Sequence, residues 1–315
     1  MNLSMTGELA AAYHSGAQRA RVVTESWGES NLYCPNCSSP KLTWLEPGHP
    51  ASDYSCPKCG FWFQLKSQKS RIGDSITDGA YAAMMNAIRH DELPSFYFMQ
   101  YDLATWRVRN LLLVPHFAFP PSAIVKRPPL SPTARRAGWV GCNFALNRIP
   151  ADARIFIVRT ITSPRRRTGV APVSNSNDKE YWDRQDARPT VIVPPEEVRA
   201  QFKRVKPLED LSVTQRGWTL DVLNIVRRIS EVGTAGSAVR APSGRKIPAA
   251  LPPVTPQRGV PTNTFTTAEV YAFTRELEKL HPDNRHVRDK IRQQLQVLRD
   301  MGLLRHVERG LWRLP

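Results

Sequence analysis

Four of the five cysteines stand in two knuckles of the same spacing, Cys34-Pro35-Asn36-Cys37 and Cys56-Pro57-Lys58-Cys59, giving C-x2-C-x18-C-x2-C. Two knuckles of this kind bring four thiolates to one tetrahedral Zn²⁺, and four protein ligands leave no open position for chemistry, so the expected metal is structural. Such a site contributes on the order of 10 kcal/mol to folding, which forces the chain between the knuckles into a closed loop. Cysteines used this way point to metal ligation in a reducing compartment rather than to disulfides. Cys142 has no partner in the pattern and is expected to be an ordinary buried thiol.

The second knuckle sits between residues of a different chemistry. From 60 to 66, Phe61, Phe63 and Leu65 alternate with Trp62, Gln64 and Lys66, which is the period of a strand. Gln64 and Lys66 therefore share one face, and Asp53 lies one hairpin arm away. A carboxylate, a second oxygen ligand and a lysine are what metal-dependent phosphodiester hydrolysis uses. Asp53 and Gln64 would hold Mg²⁺, and Lys66 would stabilise charge or orient the attacking water. A solvated surface carries the same residue types, so the spacing alone leaves both readings open.

The remaining pattern is that of a mixed α/β core. Residues 7–27 suit helical structure leading into the zinc region. Tyr81, Met84, Met85 and Ile88 fall at i, i+3, i+4 and i+7 of a second helix, with Ser75 or Thr77 available as its N-cap and Pro94 beyond its end. Three β-rich runs follow at 95–101, 108–114 and 154–158. Residues 161–190 lack periodicity and read as a surface insertion; 231–263, rich in Gly, Ala, Pro and Ser, reads as a flexible linker. Thr266-Thr267-Ala268-Glu269 is a capping box opening a helix with Val270, Phe273, Leu277 and Leu280 as its apolar stripe. Asn284 can cap another, with Val287, Ile291, Leu295 and Leu298 on one face and Gly302 at its end. A hairpin turning at Glu308-Arg309-Gly310 completes a winged helix, with a helix at 218–229 as its third member.

Bulk properties narrow the partner. At 315 residues and 41% hydrophobic, the chain has room for about two domains. A net charge of +16 and a pI near 10.0 favour a polyanion such as nucleic acid. Residues 1–25 contain no apolar signal core, and no run approaches the roughly 18 apolar residues of a membrane helix, so a cytoplasmic protein without membrane contact is expected.

Five tracts carry a resemblance to a known family: Leu32–Cys37, Asp78-Gly79-Ala80-Tyr81-Ala82, Pro132-Thr133-Ala134-Arg135-Arg136-Ala137-Gly138-Trp139-Val140-Gly141-Cys142-Asn143, Arg216-Gly217-Trp218-Thr219 and Lys290-Ile291-Arg292-Gln293-Gln294-Leu295. In this order, from about residue 8 to about 313, the chain resembles the methyl-directed restriction endonucleases of the DpnI family. The resemblance implies a PD-(D/E)XK restriction-endonuclease-like α/β (α+β) core with an embedded zinc site over 1–209, and a winged-helix DNA-binding domain over 210–315 interrupted by 231–263. It implies cutting of both strands of double-stranded DNA at GATC carrying N6-methyladenine, with Mg²⁺ as catalytic cofactor; the chain itself is expected to be monomeric. Asp53 and Lys66 match the family's catalytic Asp and Lys. Gln64 departs from it, standing where the family has an acidic residue. An amide oxygen still coordinates Mg²⁺ but brings no charge, so activity with a raised Mg²⁺ or Mn²⁺ requirement is expected.

DNA contacts are expected from Arg135, Arg136 and Trp139, which follow Lys126-Arg127-Pro128-Pro129, and from Arg285, His286, Arg292 and Gln293, which lie off the apolar stripe of the second winged-helix helix together with Asp289 and Gln296. Two rival functions share these residues. One is a catalytically impaired methyl-DNA binding protein, motivated by Gln64. The other is a zinc-containing winged-helix regulator, in which the Asp53, Gln64 and Lys66 arrangement is accidental.

Overall fold

The structure is a computed structural model that describes residues 1–46, 52–161, 189–235 and 263–315, with backbone alone for 231–235. Its centre is a seven-stranded sheet. In spatial order this runs β1 (Thr43–Trp44), β2 (Tyr54–Ser55), β3 (Trp62–Gln68), β5 (Ser95–Asp102), β6 (Arg107–Val114), β9 (Ile155–Thr160) and β10 (Thr190–Ile192). Every neighbouring pair is antiparallel except β3 and β5. A parallel pair needs a crossover, and here the crossover carries β4 (Ser75–Ala80) and α2 (Tyr81–Arg89). Strand β5 lies inside the layers, so Phe96, Tyr97, Phe98 and Met99 are all buried and its sequence reads as an unbroken apolar run. The three β-rich runs expected after the second helix are β5, β6 and β9.

Helix α1 (Gly16–Asn31) packs beside the β2–β3 hairpin, preceded by a 3₁₀ turn at Gly7–Ala12. Its fit depends on one small residue. A Cβ on Gly28 would come within 2.3 Å of the Tyr54 hydroxyl, and that hydroxyl donates to the Glu25 carbonyl at 2.8 Å. Thr24 and Ser67 add a hydroxyl–hydroxyl bond of 3.1 Å between α1 and β3.

The structure corrects the reading before α2. Ser75 and Thr77 do not cap a helix; they lie in β4, and the N-cap is Ala80, which makes no side-chain cap bond. Strand β4 joins β8 (Gly141–Ala145) and β7 (Ile124–Lys126) in a second, three-stranded sheet of order β4-β8-β7. The sequence reading missed this sheet. Cys142 on β8 is a buried thiol, as expected, with its Sγ 3.5 Å from the Gly79 carbonyl.

The C-terminal unit is a winged helix with three departures from expectation. The capping box at Thr266 and Glu269 forms, but the helix it opens stops at Tyr271, and a separate helix takes up the same apolar stripe. These are α5 (Thr267–Tyr271) and α6 (Thr274–Leu280). Asn284 is not the N-cap of α7 (Val287–Asp300); His286 is, and the Asn284 side chain accepts from the His286 N–H at 2.8 Å. The third helix, α4 (Val213–Ala235), extends past 218–229 at both ends, so the start of the expected linker is helical. Gly302, at φ +75°, ends α7 as expected, a conformation an L side chain resists. The wing is β12 (Arg305–Glu308) with β13 (Leu311–Arg313), and β13 also pairs with β11 (Thr264–Thr266). The inner parts of both low-complexity segments, 162–188 and 236–262, lie outside the described residues.

Candidate active site

The two knuckles converge. Cys34 Sγ is 3.6 Å from Cys59 Sγ, and Cys37 Sγ is 3.5 Å from Cys56 Sγ. All four sulfurs lie within 4.8 Å of one another. A zinc at about 2.3 Å from each of four tetrahedral sulfurs sets neighbouring sulfurs about 3.8 Å apart, so this cluster can hold zinc. The second knuckle turns through Gly60 at φ +73°. Burial would raise the Cys56 thiol, but the N–H groups of Cys59 and Lys58 and the neighbouring sulfurs bring it down to about 7. Cys34 is pushed up chiefly by burial.

A brace the sequence did not reveal comes from α3 (Pro195–Val205), far along the chain. Arg199 Nε donates to the carbonyls of Cys37 at 2.8 Å and Cys34 at 3.2 Å. Lys206 Nζ donates to Asn36 Oδ1 at 2.7 Å, and the Asn36 amide reaches the Cys59 sulfur at 3.6 Å. The carbonyls that shape the first knuckle thus bind a guanidinium instead of water.

The hairpin that carries the second knuckle sets the acid and the amide face to face. Tyr54 pairs with Phe63 and Ser55 with Trp62, so continuing the same register places Asp53 opposite Gln64. Directly opposed residues point to one face, and Lys66, two positions on, shares it. Beyond Asp53 the ladder has run out, and the Asp53 side chain replaces it: Oδ2 accepts the Leu65 N–H at 2.8 Å. Burial raises the Asp53 carboxyl above its ordinary range, opposed by that N–H and by the positive charges of Lys66 and Arg21. A cation arriving here therefore meets a carboxyl that releases its proton less readily than an exposed one. Register and pleat thus put the three expected catalytic residues on one face of the hairpin, all half-buried.

Lys66 has a partner that the sequence reading did not assign. Its Nζ lies 2.5 Å from Oδ1 of Asp78, on β4 of the small sheet. The same sheet carries the expected DNA-contacting loop between β7 and β8. There Leu130 and Trp139 are tied by a 2.9 Å backbone bond, and Arg135 and Arg136 are exposed beyond it. Trp139 is half-buried: its ring lies over Gly141, where a Cβ would meet it at 2.8 Å. Part of that indole is thus committed to packing.

On the winged helix, Arg285, His286, Arg292 and Gln293 are all exposed, while Ile291, Leu295 and Leu298 are buried. Arg292 Nε donates to the Tyr271 hydroxyl at 2.5 Å, and the Arg288 guanidinium lies over the Tyr271 ring at 5.4 Å. Tyr271 and Arg288 were not singled out in the sequence, although Arg288 stands four residues before Arg292 on the same helix and that spacing was visible. The expected DNA-contacting residues thus fall in two separate groups, one on the β7–β8 loop and one on α7 and the two residues just before it.

Residues 1–168 match the family model described as DpnI, Dam-replacing family, and residues 258–314 match that of the Dam-replacing HTH domain.

Proposed function

Because the chain belongs to the DpnI, or Dam-replacing, family, whose members are methylation-dependent restriction enzymes that bind DNA, we propose that it hydrolyses both strands of duplex DNA at GATC sites carrying N6-methyladenine. The observation that carries the catalytic part is the hairpin: Asp53 opposite Gln64 in register, with Lys66 on the same face. Two oxygen donors from a carboxylate and an amide suit a hard divalent cation such as Mg²⁺. When bound there, the metal would supply Lewis-acid activation of the phosphate and of water. Asp53 holds the negative end of the site and Gln64 offers a neutral oxygen. Lys66 places a positive charge where the phosphate gains negative charge. Arg135 and Arg136 grip backbone or guanine edges from the β7–β8 loop, and Arg285, His286, Arg292 and Gln293 read the duplex from α7.

The test is digestion of one plasmid prepared from adenine-methylating and non-methylating hosts, with Mg²⁺ or Mn²⁺, followed by sequencing of the fragment ends. The expected result is cutting of the methylated plasmid alone, with a loss of at least about 100-fold in Asp53→Asn and Lys66→Ala and retained DNA binding. Site-specific binding to methylated DNA without cutting in either metal would make the chain a methyl-DNA binding protein. Specific binding indifferent to methylation would make it a regulator.

A further inference from the structure

The geometry points to Asp78 as a positioning residue for Lys66, an inference that rests on the nuclease reading above. The Asp78 side chain is 2% exposed and that of Lys66 is 28% exposed, with Nζ and Oδ1 at 2.5 Å. A carboxylate is rarely so enclosed without a partner, because burial disfavours its charge unless a cation faces it. Here the facing cation is the lysine of the candidate site.

Three further observations show that this contact is built into the fold. Asp78 lies in an irregularity of β4: Thr77 pairs with Asn143 and Ala80 with Gly141, leaving Asp78 and Gly79 between them against a single partner-strand residue. A bulge of this kind re-aims a side chain that regular pleating would send elsewhere. The carboxylate crosses from the small sheet to the main one, since Lys66 pairs through β3 with Phe98 of β5. Finally, the ammonium stands 6.0 Å from the centre of the Phe96 ring, so an acid and an aromatic face both confine it. A lysine side chain has four rotatable bonds, and holding its tip before substrate arrives removes freedom that catalysis would otherwise have to restrict. Asp78 touches no reacting atom in this arrangement; it acts through Lys66. Because β8, the partner of β4, leads out of the loop bearing Arg135 and Arg136, the position of the lysine is set by the same small sheet that carries that loop.

The experiment uses Asp78→Asn in the full chain, read by steady-state cutting of methylated duplex and by equilibrium DNA binding. The expected result is a fall in kcat of at least tenfold, with KM and Kd unchanged within about twofold and Asp78→Glu recovering part of the rate. An unchanged kcat, or a kcat that falls only in proportion to the folded fraction, overturns the proposal. Thermal unfolding supplies a readout that needs no cutting. Lys66→Met should lower the melting temperature by leaving the Asp78 carboxylate enclosed without its cation, and Lys66→Met with Asp78→Asn should regain most of that loss. Simple additivity of the two substitutions overturns the pairing. If the unaltered protein cuts no DNA while the melting data show coupling, the nuclease reading fails and the contact is structural, which also overturns the positioning role.

Discussion

An amide at position 64 leaves Asp53 as the sole charged member of the expected pair of metal ligands, and charge count is what tunes a hard-cation site. Gln64→Glu should therefore lower the Mg²⁺ concentration for half-maximal cutting, on the order of tenfold, in a metal titration at fixed DNA. A rise or no change would mean that residue 64 does not face the metal. His116 offers a prediction about pH. Burial, which outweighs the opposing pull of Asp91 and is helped by the smaller effects of the Arg216 and Lys206 charges, holds its pKa down to about 4. It is thus neutral at pH 7, and its 3.5 Å approach to Glu209 is no ion pair there. The unfolded chain takes up a proton on this histidine near pH 6.5, whereas the folded chain refuses it down to about 4. Stability is accordingly whole above about pH 6.5 and declines as pH falls towards 4. His116→Asn should flatten that decline in denaturant titrations between pH 7 and 4.5; an unaltered slope would refute the assignment. At this scale the sequence was a good guide where period and register suffice. The alternation around Gln64 put it on one face with Lys66. Asp78 was hidden because its direction depends on a bulge that pairs β4 with a strand more than sixty positions away, and no local pattern records such pairing.

The hairpin that carries Asp53 and Gln64 is short: β2 spans Tyr54–Ser55 and its ladder to β3 ends at the Tyr54–Phe63 pair. A two-residue strand has little stability of its own, so its geometry rests on the sulfur cluster at its turn and on α1 at its side. Removing the metal, by chelation or Cys56→Ser, should abolish cutting and lower the melting temperature, read by circular dichroism. Survival of full activity with no bound metal in elemental analysis would show the hairpin to be self-supporting. The apolar runs that became β5, β6 and β9 were legible because burial on both faces writes itself into composition. The sheet β4-β8-β7 was not, since β4 and β7 are short and half-exposed, and 75–80 sits just ahead of a strongly periodic helix that drew the segment into its N-terminus. The same physics explains α5 and α6: the stripe Val270, Phe273, Leu277 and Leu280 keeps helical spacing, but the chain re-forms a helix after Ala272 and Phe273 instead of continuing one. Periodicity reports which side chains are buried and does not report where a helix is interrupted.

At the scale of the molecule, α4 belongs to both halves. Asp221, 4% exposed, accepts from Ser122 on the nuclease side at 2.6 Å and faces His281 of the winged helix at 2.9 Å. The His281 ring stacks on Trp218 with centroids 3.8 Å apart. Arg216 pairs with Asp91, and Arg227 with Asp152, so the helix grips the N-terminal half near its start and again past its middle. The boundary expected at 209 falls just before this helix, and sequence alone assigned α4 wholly to the winged helix because a helix beyond the last strand carries no sign of having two neighbours. Asp221→Ala should separate unfolding into two calorimetric transitions where the unaltered chain gives one; a single sharp transition in the variant would show the halves to be held together by other contacts. Among the described residues no helix is long and apolar enough to cross a membrane. At the far edge of the main sheet the chain departs after Thr160 and returns at Thr190, and these two residues are cross-strand partners. An excursion whose two feet stand side by side leaves the rest of the architecture indifferent to its length, because lengthening a closed loop costs little once its ends already meet. This corner, four strands away from the hairpin that carries Asp53 and Gln64, is where descendants of the chain can gain or shed sequence without disturbing the proposed site.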